Sequence, residues 1–136
     1  MTGKSAVNPS LQKSYLPKEV KDLYIGIPKV AAVKLHKTIP VTDRSYMVYP
    51  DEIIKSGDVK KISYRLNEDN TICEFIIEYH KEDKAIAVAK QLYNEVNDPG
   101  TDFKYSWKFT LKDGLKLKCW VYESKICIAD SRAIVV

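Results

Sequence analysis

Residues 103–122, FKYSWKFTLKDGLKLKCWVY, alternate apolar and polar side chains on both sides of an Asp-Gly pair. Phe103, Tyr105, Trp107, Phe109 and Leu111 share one face of an extended chain, opposite Lys104, Ser106, Lys108 and Thr110. A period of two is the spacing of a strand with one buried face. Past the turn, Leu115, Leu117, Cys119 and Val121 make a second apolar row. The two rows meet in only one register. A two-residue Asp-Gly turn sets Phe109 opposite Lys118. A three-residue loop of Lys112, Asp113 and Gly114 sets Leu111 opposite Leu115, Phe109 opposite Leu117, Trp107 opposite Cys119 and Tyr105 opposite Val121. A slip of one residue turns every side chain over, so burial selects the second register. That loop is a type I turn with Gly114 in the left-handed region. The next turn, near Glu123 and Ser124, then pairs Val121 with Ile126 and Cys119 with Ile128, which leaves Cys127 opposite Trp120 on the outer face.

The same reasoning finds an earlier hairpin. VKKISYRL places Ile62, Tyr64 and Leu66 on one face, with Lys61, Ser63 and Arg65 on the other. NEDN is a turn cluster. TICEFIIEY then places Cys73, Phe75, Ile77 and Tyr79 on one face, with Ile72, Glu74, Ile76 and Glu78 on the other. Residues 81–96 follow a different period. Ala85, Val88, Ala89, Leu92 and Val96 recur at spacings of three and four, the stripe of an amphipathic helix, and Glu82 and Asp83 suit its positive N-terminal end.

Nearer the N-terminus the punctuation is by proline and glycine. Pro17 opens a short helix over 17–24 that Gly26 ends, and Pro28 opens a second that runs to about His36 and Lys37. SYMVYP is a short strand closed by Pro50, and PDEIIKSG a single helical turn ended by Gly57. Residues 1–15 are polar and read as a flexible N-terminal arm, with a single domain over 16–136. The expected fold is therefore α+β: an antiparallel sheet of five to six strands, built from a hairpin, a long helix and a three-stranded meander, with two short N-terminal helices. Helix 81–96 and the N-terminal helices cover one face of the sheet.

Composition limits the function classes. With 136 residues, 45% hydrophobic and 29% charged, the chain suits one ordinary globular domain. It lacks an apolar run long enough for a membrane-spanning helix and the apolar segment of a secretory signal. Three cysteines, an odd number, each lie in an apolar stretch and without zinc-type spacing, so free thiols and a cytoplasmic setting are expected. The TGKS at residues 2–5 lacks the preceding glycine and strand of a phosphate loop.

No motif for nucleophilic, acid–base or metal chemistry is present. His36 and His80 both fall at element ends, apart from cysteines and carboxylates in ligand spacing. No cofactor is expected. The net charge of +4 is divided unevenly: residues 51–100 carry 7 basic and 11 acidic side chains, whereas both flanking regions are basic. The outer face of the 103–122 hairpin concentrates this feature. It presents Lys104, Lys108, Lys116 and Lys118 with Trp120 and Tyr122.

The leading reading is a non-enzymatic interaction module, a small accessory or regulatory protein that binds another protein through this face and the basic N-terminal arm. An aromatic residue on a polar sheet face marks cover by another element or a protein interface. The alternative is a nucleic-acid-binding domain using the same residues, with aromatics to stack bases and lysines to hold phosphates. A further alternative is a small-molecule-binding domain or enzyme with a pocket between helix 81–96 and the sheet, near Tyr64, Tyr79 and Trp107.

Overall fold

The computed structural model describes residues 7–36, 41–43, 46–49 and 57–133. Among these residues two α-helices, α1 (Lys29–His36) and α2 (Glu82–Tyr93), accompany seven strands. These are β1 (Val41–Asp43), β2 (Tyr46–Tyr49), β3 (Val59–Leu66), β4 (Ile72–Tyr79), β5 (Tyr105–Thr110), β6 (Lys116–Tyr122) and β7 (Lys125–Asp130). Short 3₁₀ turns at Pro9–Leu11, Lys13–Tyr15 and Lys18–Val20 precede α1. The helical turn expected at residues 51–56 lies outside the described residues.

The main body is the expected open antiparallel sheet, five strands in the order β3-β4-β7-β6-β5, and the β1–β2 hairpin extends it beyond β3. The order follows from the connections. The turn at residues 67–71 joins β3 directly to β4. Helix α2 then carries the chain over the sheet to its far edge, where β5 begins, and two tight turns bring β6 and β7 back until β7 lies against β4. The β5–β6 register is the one that burial requires: Phe109 faces Leu117, Trp107 faces Cys119 and Tyr105 faces Val121. Leu111 and Leu115 close the loop through a 2.8 Å backbone hydrogen bond, with Gly114 at φ +90°. Between β6 and β7, Val121 pairs with Ile126, Cys119 with Ile128 and Trp120 with Cys127, again as expected.

One sheet face is the core. Ile62, Tyr64, Phe75, Ile77, Trp107, Leu117, Cys119, Ile126 and Ile128 are buried there. Helix α2 presents Ala85, Ala89 and Tyr93 to them, and the small alanines let it approach the strands closely. Leu16, Val20, Leu23, Ile25 and Ile27 of the N-terminal segment complete the cover. The helix is shorter than the apolar stripe implied. Asn94 takes φ +65° and ends it after Tyr93, so Val96 stands in the exposed connection to β5. Tyr93, absent from that stripe, is the buried residue of the last turn.

Two departures from the sequence reading have clear causes. First, residues 7–15, assigned with residues 1–6 to a polar arm, lie on the domain. The Gln12 side chain is fully buried and makes both backbone hydrogen bonds of Ile25, accepting at 2.7 Å and donating at 3.1 Å. Tyr15 packs on Phe109, ring centroids 4.7 Å apart, and its carbonyl accepts from the Tyr93 hydroxyl at 2.6 Å. A polar composition concealed a segment held by two precise polar contacts.

Second, strict alternation puts Cys73 in the core row and Ile72 outside it. In the structure Leu66 pairs with Ile72 and Arg65 with Glu74, so Cys73 is an extra residue in β4. This β-bulge shifts the phase of the strand. Ile72 joins the core cluster, whereas Cys73 is buried outside it with its thiol 3.4 Å from the Arg65 carbonyl. The backbone of Ile72 is also engaged by the N-terminal segment, accepting from Gly26 at 2.7 Å and donating to Ile27 at 2.9 Å.

Candidate functional site

Antiparallel register determines which side chains share the outer sheet face. Opposite the core row stand Ser106 and Lys108 on β5, Lys118 and Trp120 on β6, Cys127 and Ala129 on β7, and Glu74 and Ile76 on β4. Lys116 and Tyr122 begin and end the β6 row, and both are exposed. Lys108, Lys116, Lys118, Trp120 and Tyr122 therefore lie on one surface. Lys104 does not join them. Its ammonium sits 5.4 Å from the ring of Tyr105, the ring that Lys90 of α2 approaches from 5.1 Å, on the helix side of the sheet.

The reason lies in residues 101–104, which bend before β5 begins at Tyr105. Alternation does not extend back through a bend. Thr101 stabilises the turn through its hydroxyl, which accepts from Phe103 N–H at 3.2 Å and donates to Phe103 O at 3.1 Å. Phe103 and Lys104 thus exchange the sides that the sequence assigns them. Phe103 lies on the outer face, stacked on Trp120 with centroids 5.5 Å apart and planes at 22°, and meets Tyr122 edge-on at 6.0 Å. Trp120 is half-buried as a result, and Tyr122 remains 50% exposed. Lys125 places its ammonium over the Tyr122 ring at 5.6 Å and pairs with Glu123 at 3.5 Å.

The charges of this face are partly balanced within the molecule. Asp98, from the α2–β5 connection, reaches over the sheet edge and accepts from Lys118 Nζ at 2.6 Å, with Lys108 Nζ at 3.9 Å. Its side chain is only 12% exposed. The Lys118 hydrogen bond, with help from Lys108, holds the Asp98 carboxyl below the usual carboxylate value, although burial opposes the shift. Further along, Arg65 donates to Glu74 at 2.7 Å, and Glu78 lies 3.9 Å from both Lys60 and Lys61. Asp98 is the site residue that sequence reading missed. Its signal was faint: an acid in the NDPG that ends the helix, eight residues before Ser106 in the chain.

The remaining surfaces offer little chemistry. Cys73, Cys119 and Cys127 are buried free thiols. Burial raises all three pKa values, to about 12 for Cys119 and Cys127, so none is a nucleophile at neutral pH. Tyr64, Tyr79 and Trp107 are buried core side chains. Trp107 donates its indole N–H to Asn94 O at 3.2 Å, and Tyr64 meets Phe75 edge-on at 5.4 Å.

A cleft of about 380 Å³ opens instead at the end of the sheet, among Asn67, Asp69, Asp113, Asp130 and Arg132. Its carboxylates serve local structure. Asp69 caps Thr71 N–H, Asp113 accepts from Asn8 and Leu115 N–H, and Asp130 holds Arg132. His80 lines a second, shallow hollow with Asp58, Lys81 and Lys84. Among the described residues no cluster of three or more His, Cys, Asp or Glu is arranged to hold a metal ion. Among them, too, no helix is long and apolar enough to cross a membrane.

Comparison with known proteins returned no match to a family model, a curated protein or a solved structure.

Proposed function

We propose that the protein is a non-enzymatic interaction module and that its outer sheet face is the contact surface for another protein. The observation that carries this reading is the aromatic cluster of Phe103, Trp120 and Tyr122 on a face otherwise rich in charge. Aromatic side chains supply large contact areas at low entropic cost and concentrate at interface centres. Tyr122 is half-exposed and Trp120 half-buried, so a partner gains apolar area and can meet the phenol hydroxyl. The charged side chains around them form the polar rim expected of such a patch.

Two features favour a protein over a nucleic acid. One face of Trp120 is occupied by Phe103, which removes a stacking surface for a base. Lys118 is neutralised by Asp98, which removes a cation from the phosphate-binding set. A photo-crosslinking residue at Tyr122, with a second at exposed Gln91 on α2 as control, tests the reading in extracts of the source cells. Nuclease-resistant adducts of raised mass, specific to position 122, are expected. Nuclease-sensitive adducts there would transfer the site to the nucleic-acid reading. Equal labelling at both positions, or none, would remove the face as a contact surface.

A further inference from the structure

Strand β5 ends the sheet, and three of its outward backbone groups are already taken. Lys108 N–H donates to Asn97 Oδ1 at 2.7 Å, and Asn97 Nδ2 donates to Lys108 O at 3.2 Å. Two residues back along β5, Asp98 N–H donates to Ser106 O at 3.2 Å. A carboxamide has the donor and acceptor geometry of a peptide group, so Asn97 stands in for one residue of a neighbouring strand. Asp98 anchors the arrangement from the other side of the edge, through Lys118 Nζ at 2.6 Å and Ser106 Oγ at 3.4 Å.

The segment has little apolar anchorage. Residues 94–97 are all exposed, as are Pro99 and Gly100. Hydrogen bonds and ion pairs hold it to an edge whose Trp107 is core and whose Tyr105 and Phe109 pack against the core. Native proteins shield such edges because unpaired N–H and C=O groups recruit another strand.

We propose that β5 is a latent self-association edge, and that Asn97 and Asp98 are the guard that occupies it. The occupant on release is β5 of a second copy. In the antiparallel register that sets Ser106 opposite Lys108 of the other copy, the two guarded residues satisfy each other across a two-fold axis. In that register no lysine of β5 stands directly opposite its own counterpart, which limits like-charge repulsion. The side-chain row of Tyr105, Trp107 and Phe109 then continues from one copy into the next.

Sedimentation velocity over a concentration series tests this. Wild type is expected to stay monomeric throughout, and the Asn97→Ala, Asp98→Ala double variant to dimerise as concentration rises. Adding Lys108→Pro, which removes the edge N–H, should return that variant to monomer. A folded double variant that stays monomeric, a dimer indifferent to Lys108→Pro, or a wild-type dimer overturns the proposal. The milder Asn97→Ser variant supplies a second readout if the double variant loses its fold. Exchange of the Lys108 amide, slow in wild type, should be fast in the dilute variant and slow again on concentration. Exchange in that variant that ignores concentration overturns the proposal equally.

Discussion

Phe103 stacks on Trp120, ring centroids 5.5 Å apart, although the alternation of residues 103–111 assigns them to opposite faces of the sheet. The contact shields the indole from one side. Phe103→Ala should therefore uncover Trp120 and leave buried Trp107 undisturbed. Tryptophan emission is expected to shift to the red, with a larger fraction quenched by acrylamide. The stability loss should be about 1 kcal/mol, the scale of an aromatic pair. The shifted component should vanish when Trp120→Phe is added. A shift that survives that second change would come from Trp107, and the cover would be structural to the core.

Gly114 isolates a backbone effect. Its φ is +90°, and an added Cβ would meet no atom within 4 Å. The cost of Gly114→Ala is therefore conformational and not steric, about 1 kcal/mol. A lower urea midpoint with an unchanged m-value is the expected signature. An unaltered midpoint would mean that the 112–114 loop relaxes freely, against the register it is argued to set.

What the sequence revealed and what it hid divide along one line. Alternation within a strand was readable, so the register of β5, β6 and β7 followed from burial alone. Alternation across an irregularity was not. The bend at residues 101–104 moved Phe103 to the outer face, and the bulge at Cys73 moved Ile72 to the core. Both irregularities depend on contacts distant in the chain or on a hydroxyl bonded to a near neighbour, and neither leaves a periodic trace. For the same reason, five of the six side chains that alternation assigns to the outer face lie there, and Lys104, in the bend, does not. Asp98 was barely legible and Gln12 not at all, because a single polar side chain acting across the fold has no pattern of its own.

Asp98 makes part of the stability dependent on pH. Lys118 holds its carboxyl below the ordinary value, so the folded state gives up this proton more readily than the unfolded one. The stabilisation is complete above the unfolded pKa, about 4, and is lost as pH falls through the folded value. Asp98→Asn should cost about 1–2 kcal/mol at neutral pH. The gap between wild type and variant in urea midpoint should narrow progressively below pH 4. A gap of constant size down to pH 2 would show that the charge on Asp98 contributes nothing.

Gln12 makes a sharper demand. Its carboxamide is the hydrogen-bond partner of both Ile25 N–H and Ile25 O, and all of these groups are buried. Gln12→Ala leaves two backbone groups without partners, at about 1–3 kcal/mol each before relaxation. The expected loss, about 2–4 kcal/mol, exceeds that of any surface substitution in the same segment. Gln12→Glu should be at least as damaging, because it buries a charge and loses the donor to Ile25 O. If calorimetry finds either variant within about 0.5 kcal/mol of wild type, residues 7–15 add nothing to the folded domain.

The thiols report on opening of the whole sheet. Burial raises the pKa of Cys119 and Cys127 to about 12 and raises that of Cys73. Cys119 lies under α2, Cys127 lies opposite Trp120, and Cys73 lies in the bulge of β4. A thiol-specific disulfide reagent at neutral pH should therefore label none of the three in the native protein and all three in urea. The three native labelling rates should coincide and follow the rate of global unfolding, since the thiols sit in three adjacent strands of one sheet. Faster reaction at Cys127 alone would locate a local opening of the outer face. In that event Phe103→Ala should accelerate it, because Phe103 covers the tryptophan that pairs with Cys127.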